Sequence, residues 1–131
     1  MKNTVELPIV GEIACGSPIL AEQNIESYLT ISGSFLGIGE YFVLVAKGKS
    51  MIDAGIEEGD YVVVRKQNTA EEGQIVVALV NDGECTLKRY YLDKRKEKVR
   101  LHPENPEMED LFFPNVDIQG VAVKVIKNLD C

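Results

Sequence analysis

Ser50 stands in Gly48-Lys49-Ser50-Met51, after the apolar run YFVLVA (41–46) and before the turn-like IDAGI. A serine at a strand end can have free backbone N–H groups beside it, the geometry that a nucleophile and its oxyanion hole require. Gly-x-Ser is also common there as a plain structural turn. A serine nucleophile needs a base, and the single histidine, His102 in LHPEN, reads as a surface-loop residue. The other option is a lysine whose ammonium is made unfavourable by burial, which lowers its pKa. Lys88 is the candidate because it lies inside TLKRYYL (86–92), flanked by apolar and aromatic residues. Its competing reading is an edge-strand charge that blunts aggregation. Cys15-Gly16 is the third feature: a small side chain followed by glycine can enter a narrow site, since glycine lets backbone approach closely. A tight Cys-Gly-Ser-Pro turn at an edge is the alternative.

The elements that must hold these residues read as β. YFVLVA (41–46), DYVVVRK (60–66), QIVVALV (74–80), TLKRYYL (86–92), KVRLHP (98–103) and DIQGVAVKVIK (117–127) are rich in Val, Ile, Leu and Tyr and are separated by turn-forming clusters. Asn81-Asp82-Gly83 predicts a tight hairpin, because these residues tolerate positive φ. DKRKE (93–97) predicts a second hairpin connection. Short helices are predicted at Ala21–Tyr28 and just after Ser50. Residues 3–20 are apolar but broken by Pro8, Gly11, Gly16 and Pro18, which makes them a poor central strand and suggests an arm lying over the domain. The sum is a mainly β, largely antiparallel domain with strongly bent sheets.

Composition narrows the function classes. The 131 residues are 45% apolar and 27% charged, which suits one globular domain able to bury its own core. No apolar run approaches the ~20 residues of a membrane helix, and the first residues lack the core of a secretion signal. The net charge of −7 argues against duplex DNA binding by this chain, since phosphate contacts need a basic surface. Lys88 to Arg100 carries seven basic side chains against Asp93 and Glu97, a stretch that could touch an acidic partner or form a solvated hairpin. Cys15, Cys85 and Cys131 have neither metal-ligand nor redox-motif spacing, so three reduced thiols in a cytoplasm are expected, with no metal and no cofactor.

Taken in order, Ala14-Cys15-Gly16-Ser17-Pro18, Gly48-Lys49-Ser50-Met51 with Asp53-Ala54-Gly55-Ile56, and Thr86-Leu87-Lys88-Arg89 resemble the C-terminal autoprotease domain of LexA repressors. Gly59-Asp60-Tyr61-Val62-Val63-Val64 and Pro103-Glu104-Asn105-Pro106 are similar too, and the resemblance runs from about Leu7 to Ile126. UmuD, a polymerase accessory protein, is similar in the same places. Gln67-Asn68-Thr69-Ala70 and Gly73-Gln74-Ile75-Val76 look closer to LexA. Another Ser-Lys peptidase, or an inert dimerisation module of this fold, is a third account.

The resemblance implies the bent β fold shared by LexA and signal peptidases, with short helical turns. It implies an arm over about 1–28 that carries the cleavage site, and a catalytic core over about 29–131. The helix-turn-helix domain of a repressor is missing from the sequence. Ser50 would be the nucleophile and Lys88 the general base and acid. The backbone N–H groups of Lys49 and Ser50 would form the oxyanion hole, and Cys15-Gly16 would be the bond the chain cuts in itself. Implied partners are a second copy of the chain and a RecA filament on single-stranded DNA. Operator DNA would be reached only through the missing domain. Lys49 departs from the Met or acidic residue of many relatives, and a cation there could depress the base's pKa or misplace it.

Overall fold

Branched and aromatic side chains pack well on pleated, buried surfaces, and they dominate every long strand of the chain. The computed structural model describes residues 3–14, 16–81 and 83–127. Its strands are β1 (Thr4–Val10), β2 (Ile25–Ser32), β3 (Tyr41–Val45), β4 (Tyr61–Lys66), β5 (Ile75–Val80), β6 (Glu84–Asp93), β7 (Lys98–His102), β8 (Leu111–Phe113) and β9 (Asp117–Ile126). They form one sheet in the order β2-β1-β3-β4-β9-β5-β6-β7-β8. Its neighbours pair antiparallel apart from β1 and β3, which run parallel through Ile9–Val43 and Val10–Leu44. The mainly β architecture agrees with the sequence reading; the parallel pair makes the sheet mixed.

The continuous apolar runs of β3 and β4 reflect burial on both faces. Phe42, Leu44, Val62 and Val64 join Val10, Ile19, Met51, Ile56 and Val77 in one core. The alternate residues Tyr41, Val43 and Val63 face a second core with Leu7 and Ile9. Farther along the sheet, Val76, Ala78 and Val80 of β5 meet Tyr90, Val99, Leu101, Ile118 and Val121. Register shifts at Ile9/Val10, Val63/Val64 and Val77/Ala78 bend the strands between these cores.

Three expectations are corrected. Residues 4–10 are a strand between β2 and β3, because Pro8 is tolerated at its place opposite Tyr28 while Leu7, Ile9 and Val10 are buried. The irregular segment therefore starts at Gly11. The helix predicted over Ala21–Tyr28 shrinks to a single 3-10 turn, Glu22–Asn24, since Ile25 already pairs with Val10. His102 ends β7 instead of lying in a loop, with Nδ1 2.6 Å from Asp110 Oδ1. Both hairpins form as read. Asn81 (φ 37°) and Gly83 (φ 102°) close the β5–β6 turn, and Glu97 (φ 52°) closes β6–β7; Asp82 lies outside the described residues.

Gly120 lets β4 and β9 approach. A Cβ there would meet the Arg65 carbonyl oxygen at 2.4 Å and Val64 Cγ1 at 2.5 Å, so backbone must shift to accept one. Gly120→Ala is expected to cost about 1–3 kcal/mol. Urea denaturation should show a lower midpoint at an unchanged slope.

Candidate active site

The turn that carries Ser50 is anchored before it is exposed. Met51 is buried in the core beside Phe42 and Ile56, and its carbonyl accepts from Ala54 N (3.1 Å) and Ile56 N (3.2 Å). A 3-10 turn, Ile52–Ala54, follows as the sequence predicts, and Gly55 closes it at φ 82°. Such a left-handed position suits glycine because it has no Cβ. Ser50 is left half-buried at the mouth of the turn, and the Lys49 side chain is exposed.

Lys88 reaches the same place from β6, an interior strand between β5 and β7. β7 pairs with β6 only from Arg89 on, so it is the burial of Lys88, and not strand order, that overturns the edge-charge reading. Lys88 is only 8% exposed and donates through Nζ to Thr86 Oγ1 at 2.5 Å. Burial pulls its ammonium below the ordinary lysine range, and the neighbouring Cys85 and Glu84 oppose that shift. Burial also pushes the Cys85 thiol up to about 11, so near neutral pH Cys85 is uncharged and offers Lys88 no counterion.

A cavity of about 560 Å³ brings the two together. Its lining includes Ser50, Met51, Thr86 and Lys88, together with Gly11 and Ile13 from the segment that leaves β1. Serine and lysine thus share one wall-lined space with the incoming chain. Cys15 lies outside the described residues. Gly16 is exposed at φ 79°, and its nitrogen is so near Gly83 that a Cβ on Gly83 would sit 3.0 Å from it. Gly83 borders the Ser50 cavity and also a second one, of about 1170 Å³, which Gly16, Ser17 and Pro18 line. Gly16 thus lines the neighbouring cavity, next to the β5–β6 turn that borders both.

Asn24 holds this segment in shape. It is 2% exposed, and its Nδ2 donates to Ser17 Oγ (3.0 Å), Pro18 O (3.0 Å) and Ile19 O (3.3 Å). Its Oδ1 accepts from Ala14 N at 2.9 Å, and its carbonyl accepts from Gly11 N at 3.2 Å. Ser17 closes the loop with its own N–H and hydroxyl on the Ala14 carbonyl. One buried amide thus grips the chain on both sides of positions 15 and 16. Neither Asn24 nor Thr86 was a sequence candidate. A single Asn after AEQ carries no periodic or motif signal, and its partners appear only once the loop is folded.

The Peptidase S24-like family pattern matches residues 8–123. The chain belongs to the Peptidase S24-like family. Within that family it is similar to LexA repressors over nearly its whole length. It is 47% identical to the LexA repressor of Syntrophomonas wolfei over 127 residues, 97% of this chain and 61% of that protein. Against the LexA repressor of Lacticaseibacillus casei the identity is 47%, over 92% of this chain and 58% of the relative. Against that of Bacillus subtilis it is 44%, over 97% and 62%. The chain spans about three-fifths of the length of these relatives. In this S24-like domain, no group of three His, Cys, Asp or Glu side chains among the described residues is arranged to hold a metal ion. Among the same residues no helix is long and apolar enough to cross a membrane.

Proposed function

We propose that the chain is the self-cleaving domain of a LexA-type repressor, a serine-lysine endopeptidase that cuts its own Cys15-Gly16 bond. The observation that carries this reading is Lys88, a buried lysine in the wall of the cavity that Ser50 also lines. A lysine in water is an ammonium and no base; one held from water can be neutral and accept a proton.

The chemistry follows in two halves. Neutral Lys88 takes the Ser50 Oγ proton while Oγ adds to the Cys15 carbonyl carbon. The backbone N–H groups of Lys49 and Ser50 stabilise the resulting oxyanion. The tetrahedral species collapses by breaking the bond to the Gly16 nitrogen, and the Lys88 ammonium protonates that leaving amine. Water then attacks the Ser50 ester, giving its proton to Lys88, and the Cys15 carboxylate departs as Ser50 regains its hydroxyl. Each molecule cuts its own chain once.

Control lies in how often the 11–24 segment presents its bond to Ser50. Gly16 lines the neighbouring cavity beside Gly83, and on this reading the segment shifts to bring its bond to Ser50. A RecA filament on single-stranded DNA accelerates cleavage by binding the presenting state more tightly than the resting one. A second copy of the chain covers the outer part of β9, where Val123 and Val125 are exposed on one face. Operator DNA is read by a different region of the longer repressor, and the reaction site is cytoplasmic. The LexA names of relatives at 44–47% identity favour this over the polymerase-accessory reading.

Incubation with an activated RecA filament tests the proposal. The wild-type chain should be consumed and Ser50→Ala should persist. Equal consumption of both, or of neither, contradicts it.

A further inference from the structure

Asn105 is buried, 7% exposed, and lies in the loop between β7 and β8, far from Ser50 in sequence. Both ends of its amide are engaged. Oδ1 accepts from Glu107 N at 2.9 Å, which fixes the side chain on its own loop. Nδ2 donates to the Lys49 carbonyl at 2.9 Å, across to the turn that carries Ser50. That carbonyl is one half of the Lys49–Ser50 peptide group; the Ser50 N–H is the other half. The chain has no cis peptide among its described residues, and a trans peptide is planar with C=O and N–H pointing in opposite directions. Whatever pins the carbonyl therefore aims the N–H; Asn105 gives the shorter of the carbonyl's two hydrogen bonds, the other coming from Ile52 N at 3.4 Å.

Glu104, the neighbour of Asn105, ties the same loop to both sides of the site. Its carbonyl accepts from Asp53 N at 2.8 Å, just past the nucleophile turn. Its carboxylate pairs with the guanidinium of Arg89, the residue after Lys88 on β6. Arg89 also donates to the Gly73 carbonyl at 2.6 Å, so its own position is set. Two adjacent residues thus hold the Ser50 turn and the Lys88 strand to one loop.

From this arrangement we infer that Asn105 is a positioning residue for self-cleavage: it holds the Lys49–Ser50 peptide so that the Ser50 N–H faces away from the 103–107 loop, as an oxyanion donor. The inference rests on the Ser50–Lys88 reading and adds to it a residue whose side-chain amide engages the Lys49 carbonyl and the Glu107 N–H. Oxyanion donors act through geometry prepared in advance, and a displacement of about 1 Å costs on the order of 100-fold in rate.

The test compares Asn105→Asp, Asn105→Ala and Asn105→Gln in the full chain, with rates expressed per folded molecule. Asn105→Asp keeps the shape and the acceptor toward Glu107 but turns an acceptor on the Lys49 carbonyl. It and Asn105→Ala should lose about 10- to 100-fold in the alkaline plateau rate, while the pH midpoint, set by Lys88, stays put. Asn105→Gln retains a donor and should recover part of the loss. The Ser50 amide nitrogen should also shift in NMR spectra of Asn105→Asp, a readout independent of turnover. Wild-type plateau rates in both donor-less variants would overturn the inference and leave the dyad intact, as would an unmoved Ser50 resonance. If the wild-type chain does not cleave while folded, the dyad reading fails and this role falls with it. Should Asn105→Ala fail to fold, Asn105→Asp and the NMR shift still decide the question.

Discussion

Lys88→Met is expected to reduce self-cleavage at least about 100-fold at every pH, the order of loss for removing a general base, while leaving the chain at least as stable near neutral pH. The two effects come from one cause. Lys88 sits in a cavity wall with burial as the leading influence on its titration, and its pKa lies below the ordinary 10.5. Below its folded pKa the native chain must bury an ammonium whose only hydrogen-bond acceptor among the described side chains is Thr86 Oγ1. An apolar side chain of similar length removes that penalty. Thr86 lines the cavity, so its hydroxyl keeps access to water after the change.

The sign of the pH dependence follows from the lowered pKa. Between the folded and unfolded values, the unfolded chain binds more protons at Lys88 than the folded chain does. Stability contributed by this site therefore rises with pH across that window and levels off above about 10.5. Cleavage rises over the lower part of the same window, because only neutral Lys88 can take the Ser50 proton, and reaches a plateau once the lysine is deprotonated. The buried Cys85 thiol, raised to about 11, lowers the stability of both chains as pH rises above about 9. The Lys88 contribution is therefore read as the difference between wild type and Lys88→Met in urea titrations from pH 7 upward, which should shift in favour of wild type as pH rises. A Met variant that cleaves like wild type, or a wild-type rate that falls as pH rises, would remove Lys88 from the mechanism.

Phe42→Ala should produce the largest loss of stability, about 3–5 kcal/mol. Phe42 is fully buried and heads the largest such side chains of the chain. It lies in the core that also contains Met51 and Ile56, which seat the Ser50 turn, and Ile19, which seats the segment after Gly16. Removing the ring opens a space that rigid β3 and β4 backbones can fill only in part, since both are paired on either side. A marginally stable domain has about 5–15 kcal/mol in total, so this is a large share of it. The urea midpoint should fall sharply, and the folded remainder should cleave more slowly because Met51 has lost its packing. A loss below about 1 kcal/mol would mean that the core rearranges around the gap.

The strands were readable because their composition is unambiguous: runs such as YVVV and IVVALV suit a pleated sheet buried on two sides. The turn at 81–83 was readable because Asn and Gly accept positive φ, and the structure has both there. What sequence could not give is pairing. Lys88 pairs with Val76 of β5, but β7 pairs with β6 only from Arg89 onward, so its burial is a product of the whole fold and not of strand order. Pro8 suggested an arm, yet the surrounding Leu7, Ile9 and Val10 had enough apolar surface to seat β1 in the sheet. The Ser50 turn and Lys88 were legible as residue types in an order that resembles LexA. The supports beneath them were not, because Asn24 and Asn105 act through single amides that meet distant backbone only after folding.

The most direct measurement of the central claim is intact-mass spectrometry of the purified chain, incubated alone over a series of alkaline pH values. Masses for residues 1–15 and 16–131 should appear together, faster at higher pH, from wild type and from neither Ser50→Ala nor Lys88→Met. An uncut wild-type chain at every pH, a cut at another bond, or the same fragments from both variants would contradict a Ser50–Lys88 autopeptidase.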